Sequence, residues 1–251
     1  MEIIRIAGGD YEYYEQLILR RDRILKDAEE YRMAYIREFG EMINKVFEAE
    51  IECISLKKKI SFCAQRINRG ETPDEKELKK YIDAYMDEYY VRLRDMKKQL
   101  DSFRSGTVIS PDELKEIRAV YHEIAKNIHP DLSPIAKEIP SLLDLFERAT
   151  DAYRRNDLKY LKEIKFLVDM ALDEVEGVNI VIPDINDRIK AVEDECEKIM
   201  NEEPYTYGKL LEDFEAVEKK KEELKTQLKE FRDYARELSG QLEKMLKGGS
   251  V

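Results

Sequence analysis

From Tyr14 onward, apolar residues recur in alternating steps of four and three: Tyr14, Ile18, Arg21, Leu25, Ala28, Arg32, Tyr35, Phe39, Met42, Val46, Ala49, Cys53, Leu56, Ile60, Cys63 and Ile67. Only Arg21 and Arg32 break the stripe. That step is the coiled-coil period, so the pattern predicts one proline-free helix over about 10–68, roughly 90 Å long at about 1.5 Å per residue. Leu17, Ile24, Tyr31, Ile36, Ile43, Phe47 and Ile54 flank the seam and widen it, so part of this helix faces two partners. Gly40 is its weak point, where a bend or a frayed turn is expected.

Arg69-Gly70-Glu71 ends the pattern, and Thr72-Pro73-Asp74-Glu75 opens a second helix lined by Leu78, Ile82, Tyr85, Tyr89, Met96, Leu100 and Phe103. So short a connection makes the two helices antiparallel. Ser110-Pro111-Asp112-Glu113 is another helix start, with Ser as N-cap and Pro at the first helical position. Leu114, Ile117, Tyr121, Ile124 and Ile128 form its stripe, and Pro130 stops it by pushing His129 out of the helical region. A polar loop with Pro134 and Pro140 leads to a stripe of Leu142, Leu145, Phe146, Ala149, Ala152 and Tyr153. These two stripes pack face to face and leave His129-Pro130-Asp131 at an exposed tip. Asn156 suits a left-handed helix end and Asp157 the cap of the next helix, whose apolar residues Leu158 to Met170 predict burial between the hairpin and the long helices. Ile185, Ile189, Val192, Cys196 and Ile199 make a short coiled-coil helix, interrupted at Glu202-Glu203-Pro204. A last helix over about 206–247 puts Tyr207, Leu210, Phe214, Val217, Leu224, Leu228, Phe231, Ala235, Leu238, Leu242 and Met245 on its seam, with Lys221 the exception. Segments 1–6 and 178–183 have β-branched character and can pair as a two-stranded clip or simply run as extended linkers.

Composition sharpens this picture. The 251 residues include 39% charged residues but only 10 Gly and 7 Pro, so punctuation is sparse and helices are long. A formal net charge of −11 argues against nucleic-acid binding, which needs a basic surface. The local runs Lys57-Lys58-Lys59 and Lys219-Lys220-Lys221 read as solvated helix faces. Cys53, Cys63 and Cys196 are too few and too scattered for a disulfide framework or a zinc site, and read as small buried hydrophobes. No apolar run approaches a membrane span and the start lacks a signal-peptide layout, so a cytoplasmic location without membrane attachment is expected. No metal-ligand spacing, phosphate loop or nucleophile elbow is present; we expect neither an enzyme nor a cofactor.

The segment from Ile117 through His129-Pro130-Asp131, followed by Phe146-Glu147-Arg148-Ala149 and Ala152-Tyr153, resembles the J-domain of DnaJ-type co-chaperones, an antiparallel helical hairpin with His-Pro-Asp in its turn. The resemblance covers under a quarter of the chain. It implies that His129, Pro130 and Asp131 dock on a DnaK-type chaperone and couple to its ATP hydrolysis, the Asp131 carboxylate meeting an arginine of the partner. Arg118, His122 and Lys126, four apart on one ridge, would be what remains of the family's basic docking face. Read alone, they are an ordinary row of charges on a solvated helix, His129 can merely cap a helix end, and Asp131 can cap the loop. Overall the first helix of the hairpin, which corresponds to the family's second, carries four acids against three bases, Lys115, Arg118 and Lys126, so steering by charge is weak. The family's own first helix would correspond to Met96–Phe103.

The expected molecule is thus all-α: an elongated antiparallel coiled-coil or helical bundle with an embedded J-domain-like hairpin. Its segments are coiled-coil helices over 1–104, a J-like core over 105–173, and C-terminal coiled-coil helices over 174–251 packing back on the first helix. Its expected function is that of a co-chaperone that binds a DnaK-type ATPase and stimulates it, the coiled coil supplying client contacts or self-association. The alternative is a structural or adaptor protein whose J-like hairpin is a non-stimulating packing module.

Overall fold

The computed structural model describes residues 9–104, 109–173 and 184–248. These form nine helices and, among the described residues, no strand: α1 (Gly9–Asn68), α2 (Glu75–Arg104), α3 (Pro111–Ile128), α4 (Pro134–Glu138), α5 (Pro140–Arg154), α6 (Leu158–Asp173), α7 (Ile185–Asn201), α8 (Tyr207–Glu212) and α9 (Phe214–Gly248). The candidate strand segments 1–6 and 178–183 lie outside the described residues. The chain divides into two compact units, each assembled from non-contiguous pieces: Met1–Arg32 with Thr107–Gly208, and Met33–Gly106 with Lys209–Val251. The three sequence segments are therefore regrouped, because α1 gives its first turns to one unit and the remainder to the other.

In the first unit, α3, α5 and α6 close around Ile117, Ile124, Ile128, Leu142, Ala149, Leu161 and Ile164, all essentially inaccessible. Each large aliphatic side chain so buried contributes about 1.5–3 kcal/mol. The α3 cap forms as its sequence demands, the Ser110 hydroxyl accepting from the Glu113 N–H at 3.2 Å. At the end of α5, Asn156 takes the left-handed conformation at φ 59°, the Asp157 N–H donates to the Ala152 carbonyl at 2.9 Å, and the Asp157 carboxylate caps α6 through the Tyr160 N–H at 3.0 Å. Burial of α6 is one-sided: Leu161, Ile164 and Val168 are inside, while Phe166 is 64% and Met170 53% exposed. A second cluster joins Tyr14, Leu17, Ile18 and Ile24 of α1 to Val192 and Cys196 of α7 and to Leu132.

In the second unit, α1 meets two helices. Phe47 and Ile51 pack against Ile82 and Met86 of α2, which runs antiparallel; Phe62 meets Tyr81 and Arg92 lies over Phe47. On its other side, Phe39 packs with Val217 and Leu224, and Cys53 with Ala235 and Leu238 of α9. Here the direction is parallel, since Glu38 pairs with Lys221 and Lys57 lies over Tyr234. A parallel neighbour needs the chain to come back first, and antiparallel α2 brings it back, its Leu100 lying against Gly40 beside Phe39, where α9 begins its packing.

Local details correct the sequence reading. Helix α1 runs through Gly40 without a break; the residue lies under Leu100, whose Cδ1 would stand 3.1 Å from an added Cβ, so close helix approach explains the glycine. The cap of α2 is Asp74, whose carboxylate accepts from the Glu77 N–H, two residues beyond the expected Thr72. The expected 206–247 helix is divided at Asp213, because its carboxylate accepts from the Glu215 and Ala216 N–H groups and starts a new helix. Phe214 thereby leaves the seam and is 77% exposed. The proline-bearing loop after Asp131 contains the short helix α4. All three cysteines are free and buried.

Candidate partner-binding surface

The turn is built by its own residues. His129 stands at the C-cap of α3 with φ −62° and ψ 126°, the extended conformation that a following proline enforces, while its N–H still closes the helix on Ala125. Its carbonyl accepts from the Leu132 and Ser133 N–H groups at 2.9 and 2.7 Å, and its ring Nδ1 accepts from the Asp131 N–H at 3.0 Å. That bond assigns the imidazole proton to Nε2 in the neutral ring. The ring stands edge-on to Phe146, centroids 4.7 Å apart. Pro130 is half-buried.

The expected exposed tip is corrected by what lies on it. His129 is only 3% exposed, because the first part of α1 lies along α3 and the turn. Arg21 places both terminal nitrogens 3.4 Å from Asp131 Oδ2, and its Nη2 is 3.3 Å from His129 Nε2. Asp22 accepts from the Tyr121 hydroxyl at 2.9 Å and stands 3.7 Å from His129 Nε2. Asp131 has a further cation in Lys137 at 3.7 Å, and its side chain stays one-third exposed. Arg21 also reaches Glu195 of α7 at 3.5 Å. Burial pushes the His129 pKa below the ordinary imidazole value, Asp22 and Asp131 opposing the shift, so the ring is neutral near pH 7.

The ridge residues are paired in the same way. Arg118 bonds Asp27 at 2.7 Å and lies 3.6 Å from Glu30; Lys126 meets Glu15 at 2.9 Å. The order of partners, Glu15 to Lys126, Asp22 to Tyr121 and Asp27 to Arg118, makes α1 antiparallel to α3. His122 is exposed beside a cleft of about 120 Å³ lined by Leu19, Asp22, Arg23, Arg118, Tyr121 and Tyr153, and partial burial lowers its pKa too. Tyr121 is core, stacked on Tyr153 at 4.0 Å and 4% exposed. Partly exposed ion pairs of this kind contribute about 0.2–1 kcal/mol each.

The structure thus gathers His129, Pro130, Asp131, Arg118, His122 and Lys126 on one surface, and adds Glu15, Arg21, Asp22, Asp27 and Glu30, which sequence reasoning missed. One signal for them existed: Arg21 is one of two charges that interrupt the apolar seam, and a charge retained at an inward position needs a buried partner. The helix laid on the hairpin is α1 and not Met96–Phe103; Leu100 belongs to the other unit. Among the described residues no group of three or more His, Cys, Asp or Glu side chains could hold a metal, and no helix is long and apolar enough to cross a membrane. Compared with protein-family models, curated proteins and solved structures, the chain has no match.

Proposed function

We propose that this protein is a J-domain-like co-chaperone that binds a DnaK-type chaperone through His129-Pro130-Asp131 and stimulates its ATPase. One observation carries the reading: the turn, held by the His129 ring and the Asp131 N–H, presents the Asp131 carboxylate to a guanidinium, that of Arg21. A turn built to hold that carboxylate beside an arginine suits the contact that the resemblance assigns to a partner arginine. Arg118 and Lys126, drawn to carboxylates in the chain itself, are chemically fit for an acidic partner. The coiled-coil helices would then supply client contacts or self-association.

Burial of His129 favours a second reading, a coiled-coil adaptor in which the hairpin only packs. Steady-state ATP turnover by the host cell's DnaK-type chaperone separates the two. The co-chaperone reading expects acceleration by the wild type and loss of at least about tenfold of that acceleration with His129→Gln. Equal turnover with wild type, His129→Gln and no added protein would leave the adaptor reading standing.

A further inference from the structure

Nearly every group that the turn and the α3 ridge could offer a partner is already engaged by α1. Along Glu15 to Glu30, α1 presents four carboxylates and one guanidinium in an order complementary to the hairpin: Glu15 against Lys126, Asp22 against Tyr121 and His129, Asp27 and Glu30 against Arg118, and Arg21 against Asp131.

The character of this seam differs from the cores on either side of it. Helices α3, α5 and α6 enclose their own apolar cluster, to which α1 adds only Leu19. The larger apolar residues of α1, Tyr14, Leu17, Ile18 and Ile24, cluster instead with α7 residues and Leu132. What holds α1 over the hairpin is therefore mostly charge, with Leu19, Leu132, the Tyr11 hydroxyl bond to the Leu132 carbonyl, and buried Lys26 on Asn156 and the Tyr153 ring as the remaining ties. The pairs of Lys126, Arg118 and Asp131 each have one side open to water and exchange partners readily, because a competing surface of the same polarity replaces each bond as it breaks, whereas the Asp22 contacts are enclosed. An apolar core offers no such exchange.

We infer that residues Glu15–Glu30 of α1 are an intramolecular occupant of the partner-binding surface, holding the hairpin closed until an acidic partner surface carrying an arginine displaces them. The inference rests on the co-chaperone reading and adds its regulation: the free protein is a weak stimulator, and affinity for the chaperone is reduced by the fraction of molecules in which α1 is seated.

The test uses the full chain with isosteric changes confined to α1, Glu15→Gln, Asp22→Asn and Asp27→Asn together, and measures stimulation of a DnaK-type ATPase and binding to it. Helix content and thermal melting establish that the variant is folded; should it not be, Asp27→Asn alone gives the same readout with a smaller rise. We expect about fivefold or greater stimulation relative to wild type, abolished when His129→Gln is added. A control that neutralises two exposed acids of α9, Glu230→Gln with Glu237→Gln, stays at the wild-type level. Equal, His129-dependent stimulation by wild type and the α1 variant overturns the closed state and keeps the co-chaperone reading. A rise of the same size in the α9 control overturns it as well, since bulk charge would then be the cause. If wild type and folded α1 variant are both inert, the co-chaperone reading fails and the inference with it.

Discussion

His129 concentrates the residue-scale argument, since its backbone N–H closes α3 while its ring serves the turn and the contact with α1. Its pKa lies below the ordinary 6.5 chiefly through burial, with Arg21 and Lys137 acting in the same direction against Asp22 and Asp131. In the unfolded chain the ring takes up its proton first as pH falls through about 6.5, so the unfolded state binds more protons in that window. Its contribution to stability is therefore full above about 6.5 and is lost as pH falls through the depressed folded value. His122 shifts in the same direction and adds to the slope. Denaturant midpoints measured from about pH 7.5 to about pH 5 should fall for the wild type and fall less steeply for His129→Gln. A variant with an unchanged slope would show that the buried ring is not what titrates.

Elements are joined here by single residues with backbone roles. Asn156 is one: it holds φ 59° at the end of α5, and its side-chain oxygen receives the Nζ of Lys26, a lysine 4% exposed that also lies over the Tyr153 ring. Asn156→Gly keeps the backbone and removes the acceptor; Asn156→Ala removes the acceptor and strains the backbone. We expect losses of about 1–2 kcal/mol for Gly and about 1 kcal/mol more for Ala, read from chemical denaturation. Equal losses would assign the whole effect to the Lys26 bond. Capping residues were legible in the same way in the sequence: Ser110 and Asn156 act as their types suggest. Asp213 was not legible, because an Asp inside an apolar heptad reads equally as a solvated position or as a new cap, and only the realised bonds to Glu215 and Ala216 decide.

For the whole molecule, the division into two compact units makes a separate prediction. Ile124 is buried in the first and Met86 in the second, and truncation of either to Ala costs about 2–5 kcal/mol through lost contacts and a cavity. Hydrogen exchange should then rise in α3, α5 and α6 for Ile124→Ala, and in α2 with its stretch of α1 for Met86→Ala. Uniform acceleration across all helices in both variants would mean that the units do not open independently.

Sequence by itself determined most of the helices and their apolar faces, the burial of the cysteines and the hairpin with His129-Pro130-Asp131 in its turn. These follow from local rules: the period of apolar positions, the capping chemistry of Ser and Asn, and the restriction that Pro130 places on His129. Tertiary structure alone decided which helix covers the turn. The heptad of α1 records that a partner exists without naming it, Arg21 on its seam calls for a partner without naming one, and the charges of Glu15, Asp22 and Asp27 look like any solvated helix face until α3 is laid against them. A pairing between residues about a hundred positions apart leaves no period in either segment, so the contacts between α1 and the turn appear only once both are folded.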